Sequence, residues 1–142
     1  TSALADLPLP QSIAVTGTID QFGLVHAVGG VNDKIEGFFT ICQRRGLTGN
    51  QGVIIPSATI HQLCLNEEVK SAVKNQQFFI WAVDDVFQTC QILFGRDLIE
   101  EENKSYERKN QPISQLITSR IERRAEQHSA SFGLWSRLFS GK

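Results

Sequence analysis

Residues 52–56, Gly-Val-Ile-Ile-Pro, form a continuous apolar run that is too short for a helix and has no polar side. Such a run reads as a strand at the buried centre of a sheet, and that placement dictates much of the rest. The flanking segments then have to supply its neighbours. Ser12–Ile19, "SIAVTGTI", is rich in β-branched residues and reads as a strand, and "QFFIWAV", residues 77–83, reads as another. "DQFG" is a turn, and "LVHAV" behind it completes a predicted hairpin.

Between the strands the apolar period changes to that of a helix. Val31, Ile35, Phe38, Phe39 and Cys42 share one side of a predicted helix, with Asn32 as its expected N-cap, Arg44 and Arg45 near its end, and Gly46 as the stop. "SATIHQLCLNEEVKSAVKNQ" reads as helical in two pieces, the second starting near Asn66. "DVFQTCQILFG" is a third helix, expected to be capped by Asp84 and ended by Gly95. At the start, "TSALADLP" reads as the end of a helix terminated by Pro8 and Pro10. Strand, helix, strand, helix, strand, helix implies βαβ crossovers. With the hairpin in front, the expected class is α+β, with βαβ units in a mixed sheet.

Two domains are expected. Residues 1–95 hold the sheet and its helices. Residues 96–142 change character: a charged, polar linker, then a helix with Ile113, Leu116, Ile117 and Ile121 on one face, and an apolar tip of Phe132, Leu134, Trp135, Leu138 and Phe139. That tip reads as packing on its own domain or a neighbouring subunit, in preference to a membrane surface.

Composition narrows the function. A net charge of −1 gives no global field toward nucleic acid or membrane, and no basic–aromatic interleaving or Gly-rich phosphate loop occurs. The three cysteines, Cys42, Cys64 and Cys90, are widely spaced among apolar residues and read as reduced core residues of a cytoplasmic protein. His61 and Cys64 have helix-face spacing but no second ligand pair, so no metal site is expected. The chain has no methionine and opens Thr-Ser-Ala-Leu-Ala, from which a piece of a longer protein is expected.

Lys34 is the residue that carries chemistry. It falls in the first turn of the predicted helix, where unpaired N–H groups disfavour an ammonium, with Val28, Val31 and Ile35 nearby to desolvate it. Both effects lower a lysine pKa, and a neutral amine is a general base. Asp33 and Glu36 act the other way if they face the amine. The plainer reading is a lysine whose stem lies along the surface and whose head reaches water.

"SIAVTGTIDQFGLVHAVGGVNDKIEGFF" followed by "GVIIP" resembles the proteolytic domain of Lon, the ATP-dependent Ser–Lys peptidase. Within that family the stretch is most similar to the Lon-like homologues of proteobacteria. The resemblance runs from Thr1 to about Gly95. It implies the Lon proteolytic-domain fold, with Lys34 as the general base, Thr16 orienting it, and Gly17, Gly29 and Gly30 shaping the site. Thr18, Ala27 and Asp33 depart from the commonest Lon pattern, and none of them removes the base.

No serine here matches the nucleophile, since Ser2 and Ser12 fall at the wrong parts of the motif. The resemblance therefore implies an upstream serine and a chain inactive by itself. It also implies protein or peptide substrates, a hexameric ring, no nucleic-acid role, and no cofactor held by this chain, with ATP and Mg bound by an upstream ATPase module. A non-proteolytic ring scaffold or interaction domain of an ATPase is the alternative.

Overall fold

The computed structural model describes the backbone of residues 1–107 and 109–139, and the side chains of residues 1–107 and 109–126. It contains two compact units, one of Leu9–Gly95 and one of Thr1–Pro8 with Arg96–Lys142.

In the first unit, β1 (Ile13–Val15), β4 (Gln51–Pro56) and β5 (Phe78–Val83) form a parallel sheet in the order β1-β4-β5. Every residue of β4 is buried, as its unbroken apolar run requires. The register sets Ile13 beside Gly52 on one flank and Gly52 beside Phe79 on the other. Parallel pairing needs crossovers, and these are supplied by α2 (Val31–Arg45) and α3 (Glu67–Lys74).

The expected single strand "SIAVTGTI" is two. Gly17 has a φ of 150°, a conformation that side-chain-bearing residues rarely adopt, and there the chain turns away from β1. The segment then starts β2 (Thr18–Ile19), which pairs antiparallel with β3 (Val25–His26). The hairpin is therefore its own two-stranded sheet, and the mixed sheet of the sequence reading is replaced by a parallel one plus this ribbon. The class is α+β, as expected.

Helix α2 buries Val31, Ile35, Phe39 and Cys42. They meet Val53 and Ile55 of β4, Phe78 of β5, and Leu65, Val69 and Ala72 around α3. Phe39 and Phe78 pack edge to face at 5.2 Å between ring centroids. Each large side chain buried here is worth about 1.5–3 kcal/mol, so this cluster dominates the unit's stability.

Capping follows the sequence in part. Helix α3 starts next to Asn66, as expected, and Asn66 caps it, accepting from the Val69 N–H at 2.9 Å. Helix α4 (Val86–Phe94) ends at Gly95 with φ 61°. Its cap is Asp85, not Asp84: Asp85 is extended and its carboxylate accepts from Gln88 N–H, three residues on, at 2.8 Å. Asp84 instead accepts a hydrogen bond from the Ser57 hydroxyl. The first of the two helical pieces before α3 is a 3-10 helix, Ser57–Gln62.

Cys42 and Cys90 are buried, but Cys64 is exposed. The reason is local. Leu63 is extended where the 3-10 helix ends, and in the segment that follows Leu65 takes the buried side.

In the second unit, α1 (Ser2–Ala5) stops at Asp6, which is left-handed at φ 58°. The long α5 (Ile113–Phe139) has its first N–H groups met by backbone carbonyls: Ile113 N–H donates to Asp97 O and Ser114 N–H to Leu98 O, each at 2.9 Å. Asp97 also accepts from the Tyr106 hydroxyl at 2.8 Å, so the polar segment is held by hydrogen bonds without being helix or strand. Ile113 is buried, Leu116 and Ile117 are half-buried, and Ile121 is exposed, so the predicted apolar face is covered at its N-terminal end only. The side chains of Phe132, Leu134, Trp135, Leu138 and Phe139 lie outside the described residues. Among the described residues, no helix is long and apolar enough to cross a membrane.

Candidate active site

The residues singled out by sequence lie at two places in the first unit: the exit of β1 and the entrance of α2. At the exit of β1, Thr16 is half-buried and its N–H donates to Ile54 O at 3.0 Å, which extends the ladder one residue past the strand. Gly17 follows. A Cβ there would sit 3.0 Å from Val25 Cγ1 and 3.3 Å from Pro56 Cγ, so the position has neither the conformation nor the room for a side chain.

The hairpin beyond Gly17 is tied through Gly23–Val25 to the junction of β5 and α4. Val25 N–H donates to Asp84 O at 2.8 Å, and Val86 N–H donates to Gly23 O at 2.9 Å. Its turn is organised by one carboxylate. Asp20 Oδ1 accepts from the N–H groups of Phe22 and Leu24 at 2.8 and 3.0 Å, and Oδ2 accepts from His26 Nε2 at 2.8 Å. The His26 hydrogen bond is the main influence holding the Asp20 carboxyl below its ordinary value, and the two backbone N–H groups act the same way.

At the entrance of α2, Gly30 is the N-cap, in the left-handed region at φ 68°, and no side chain caps the helix. Asn32, the expected cap, is already inside the helix. Gly29 has no positive φ, and a Cβ there would meet nothing within 4 Å. The expected glycine pair is thus one conformational requirement, at Gly30, followed by Lys34, whose N–H donates to Gly30 O at 3.1 Å.

Lys34 is exposed. The buried setting expected from Val28, Val31 and Ile35 does not form around it, because Val31 and Ile35 turn into the core while Lys34 points off the edge of that stripe. Neither nearby carboxylate pairs with it. Glu36 Oε1 accepts from Asn66 N–H at 2.8 Å, and Asp33 Oδ2 lies back over the helix start, 3.8 Å from where a Gly30 Cβ would be. Among the described residues, the Lys34 ammonium has no hydrogen bond or ion pair, and none joins it to the Thr16 hydroxyl.

The arrangement offers an unpaired amine on the first turn of a rigidly packed helix. An open groove of about 450 Å³ between α2 and α3 is lined by Phe39, Gln43, Leu47, Glu68 and Ser71, and none of the residues assigned above borders it.

Two residues with structural roles around this site, Asp20 and Gly52, were not found from sequence, and a third, Asn32, was expected in a different role. Asp20 builds the turn, and an aspartate opening a "DQFG" turn was the available signal. Asn32 bonds the segment before α3. Gly52, a glycine inside an apolar strand, lies against Phe79 and Trp81, and its position in the run was the signal.

No family model matches the chain. Curated proteins do. Over 131 residues, 92% of this chain and 22% of the relative, it is 69% identical to a Lon protease homolog of Haemophilus influenzae. Over 94 residues, 66% of this chain and 16% of the relative, it is 57% identical to a Lon protease homolog of Escherichia coli. It is also 42% identical over 69 residues, 49% of this chain and 10% of the relative, to the archaeal Lon protease of Methanocaldococcus jannaschii. The first two names record homology, not an activity. The chain spans about a fifth or less of the length of the curated relatives it matches.

Proposed function

This chain belongs with the Lon protease homologs, and from that premise we propose that it is the lysine-bearing part of an ATP-dependent, Lon-like serine endopeptidase. The observation that carries the reading is Lys34: the chain has an unpaired amine on the first turn of α2, behind a left-handed glycine, within the span matched to the Haemophilus influenzae relative.

Lys34 is the general base. Its neutral amine takes the proton from a serine hydroxyl supplied by upstream sequence, and the serine oxygen attacks the peptide carbonyl carbon. The C–N bond then breaks, the amine product leaves with the proton, and water hydrolyses the acyl-enzyme ester. Taking a lysine out of water favours its neutral form, and the positive end of a helix dipole acts in the same direction. The exposed flank of α2 that carries Lys34 is therefore the face on which the serine-bearing segment packs, and that packing completes the base. Thr16 steadies the amine in the completed site.

Substrates are proteins or peptides. ATP and Mg, bound by an upstream ATPase module and by no residue of this chain, drive substrate unfolding. The complete protein is a cytoplasmic hexameric ring.

The test uses the full-length protein and a fluorogenic peptide. Lys34→Ala is expected to abolish hydrolysis, while its circular dichroism and melting temperature stay those of the parent. Undiminished turnover by Lys34→Ala would refute the assignment and leave the non-proteolytic scaffold as the better reading.

A further inference from the structure

We infer that Asn32, with Glu36 one turn later, is a positioning pair that fixes the rotation of α2 about its axis and hence the direction in which Lys34 is presented. The inference rests on the reading of Lys34 as a general base.

Asn32 Nδ2 donates to Gln62 O at 3.2 Å, and Asn32 Oδ1 accepts from Cys64 N–H at 3.0 Å. Glu36 Oε1 accepts from Asn66 N–H at 2.8 Å. Cys64 and Asn66 are alternate residues of the segment that leads into α3, and Gln62 closes the 3-10 helix before it. The match is geometric. Two residues of extended chain advance about 6.6 Å, and one i to i+4 step on a helix advances about 6 Å. Side chains four apart on α2 therefore meet backbone groups two apart on the segment beside it.

At about 100° per residue, Asn32 and Glu36 fall on one flank of the buried stripe of Val31, Ile35, Phe39 and Cys42, and Lys34 falls on the other. The buried stripe decides which face of the helix turns inward, and the directed hydrogen bonds of Asn32 and Glu36 narrow the rotation that packing leaves. The start of the helix offers no such constraint: its cap is Gly30, no side chain caps it, and Gly29 precedes it. A lysine amine lies well beyond the Cα radius of about 2.3 Å, so a roll of about 10° carries it about 1 Å. At a reacting centre, a displacement of that size is worth about a hundredfold in rate.

The experiment compares peptide hydrolysis by the full-length protein and its variants, with hydrogen exchange read at the Cys64 and Asn66 amides. Asn32→Ala is expected to lower kcat about tenfold or more with KM changed less than about twofold, and to lose protection at Cys64. Glu36→Gln, which keeps the Oε1 acceptor, is expected to retain kcat within about twofold, and Glu36→Ala is expected to lose it as Asn32→Ala does.

Parental kcat in Asn32→Ala, with Cys64 protection lost and Lys34→Ala inactive, overturns the positioning role alone. A raised KM with unchanged kcat also overturns it. Full turnover by Lys34→Ala overturns the base reading, and this inference with it. Should Asn32→Ala fail to fold, Asn32→Asp replaces it, keeping the bond to Cys64 N–H and losing the one to Gln62. A reduced kcat in that variant supports the role, and a parental one overturns it.

Discussion

Gly52 of β4 lies flat against Trp81 of β5: a Cβ on Gly52 would overlap both the indole ring and the carbonyl of Phe79, its register partner. The missing side chain lets Phe79 and Trp81 stack, 5.6 Å apart and 18° from parallel, across the face of the sheet. Gly52→Ala is expected to destabilise the chain by about 3 kcal/mol, at the upper end for overpacking, because backbone and not only a flexible side chain has to move. Chemical denaturation monitored by tryptophan fluorescence reads this directly, and an unchanged midpoint would contradict the packing.

Gly29 and Gly30 are expected to respond differently to alanine. Gly30 holds φ 68°, and an alanine there costs about 1–2 kcal/mol. Gly29 has neither a positive φ nor a neighbour within 4 Å of a built Cβ, so Gly29→Ala leaves stability within about 0.5 kcal/mol. Melting temperatures of the two variants, measured side by side, check the contrast.

The hairpin turn is expected to loosen in acid. Asp20 is held below its ordinary value of 3.8, chiefly by the His26 hydrogen bond. A carboxyl depressed in the folded state adds stability above its unfolded value and loses it as the pH falls through the folded one. Amide exchange at Phe22 and Leu24 is therefore expected to stay protected above pH 3.8 and to rise, relative to its intrinsic rate, below it. Asp20→Ala removes both the protection and its pH dependence.

The thiols are expected to divide one against two. Burial raises the Cys42 and Cys90 thiols above their ordinary value, so both are poor thiolates as well as shielded ones. Cys64 is exposed. A small disulfide reagent at pH 8 is expected to modify Cys64 in the native chain, with Cys42 and Cys90 following only in denaturant. Simultaneous reaction of all three would contradict the core assignment.

What the sequence made legible was whatever depends on near neighbours. The α2 stripe, the buried β4 run and the start of α3 near Asn66 each follow from the pattern within one segment, and each is where that pattern put it. What escaped depended on tertiary geometry or on a choice between adjacent residues. Asp84 and Asp85 are chemically alike, and only backbone angles select Asp85 as the cap. Asn32 has the composition of a cap, but a left-handed Gly30 starts the helix early and frees the amide to reach the segment before α3. Of the two readings of Lys34 the plainer, exposed one holds, because apolar neighbours in sequence are not neighbours in space once a helix turns them inward. At the candidate site, the resemblance named the residues, and the structure supplied their surroundings.

The parallel sheet also bears on the order of assembly. Strand β4 pairs with β5 over twice as many residues as with β1, and the loop it closes to reach β5 is shorter. Loop closure grows harder with length, and distant pairings form more slowly. Strand β1, which leads into Thr16, is thus expected to dock last, after α2 already stands on β4 and β5. A newly made chain caught halfway then has its lysine helix built and its threonine strand still loose.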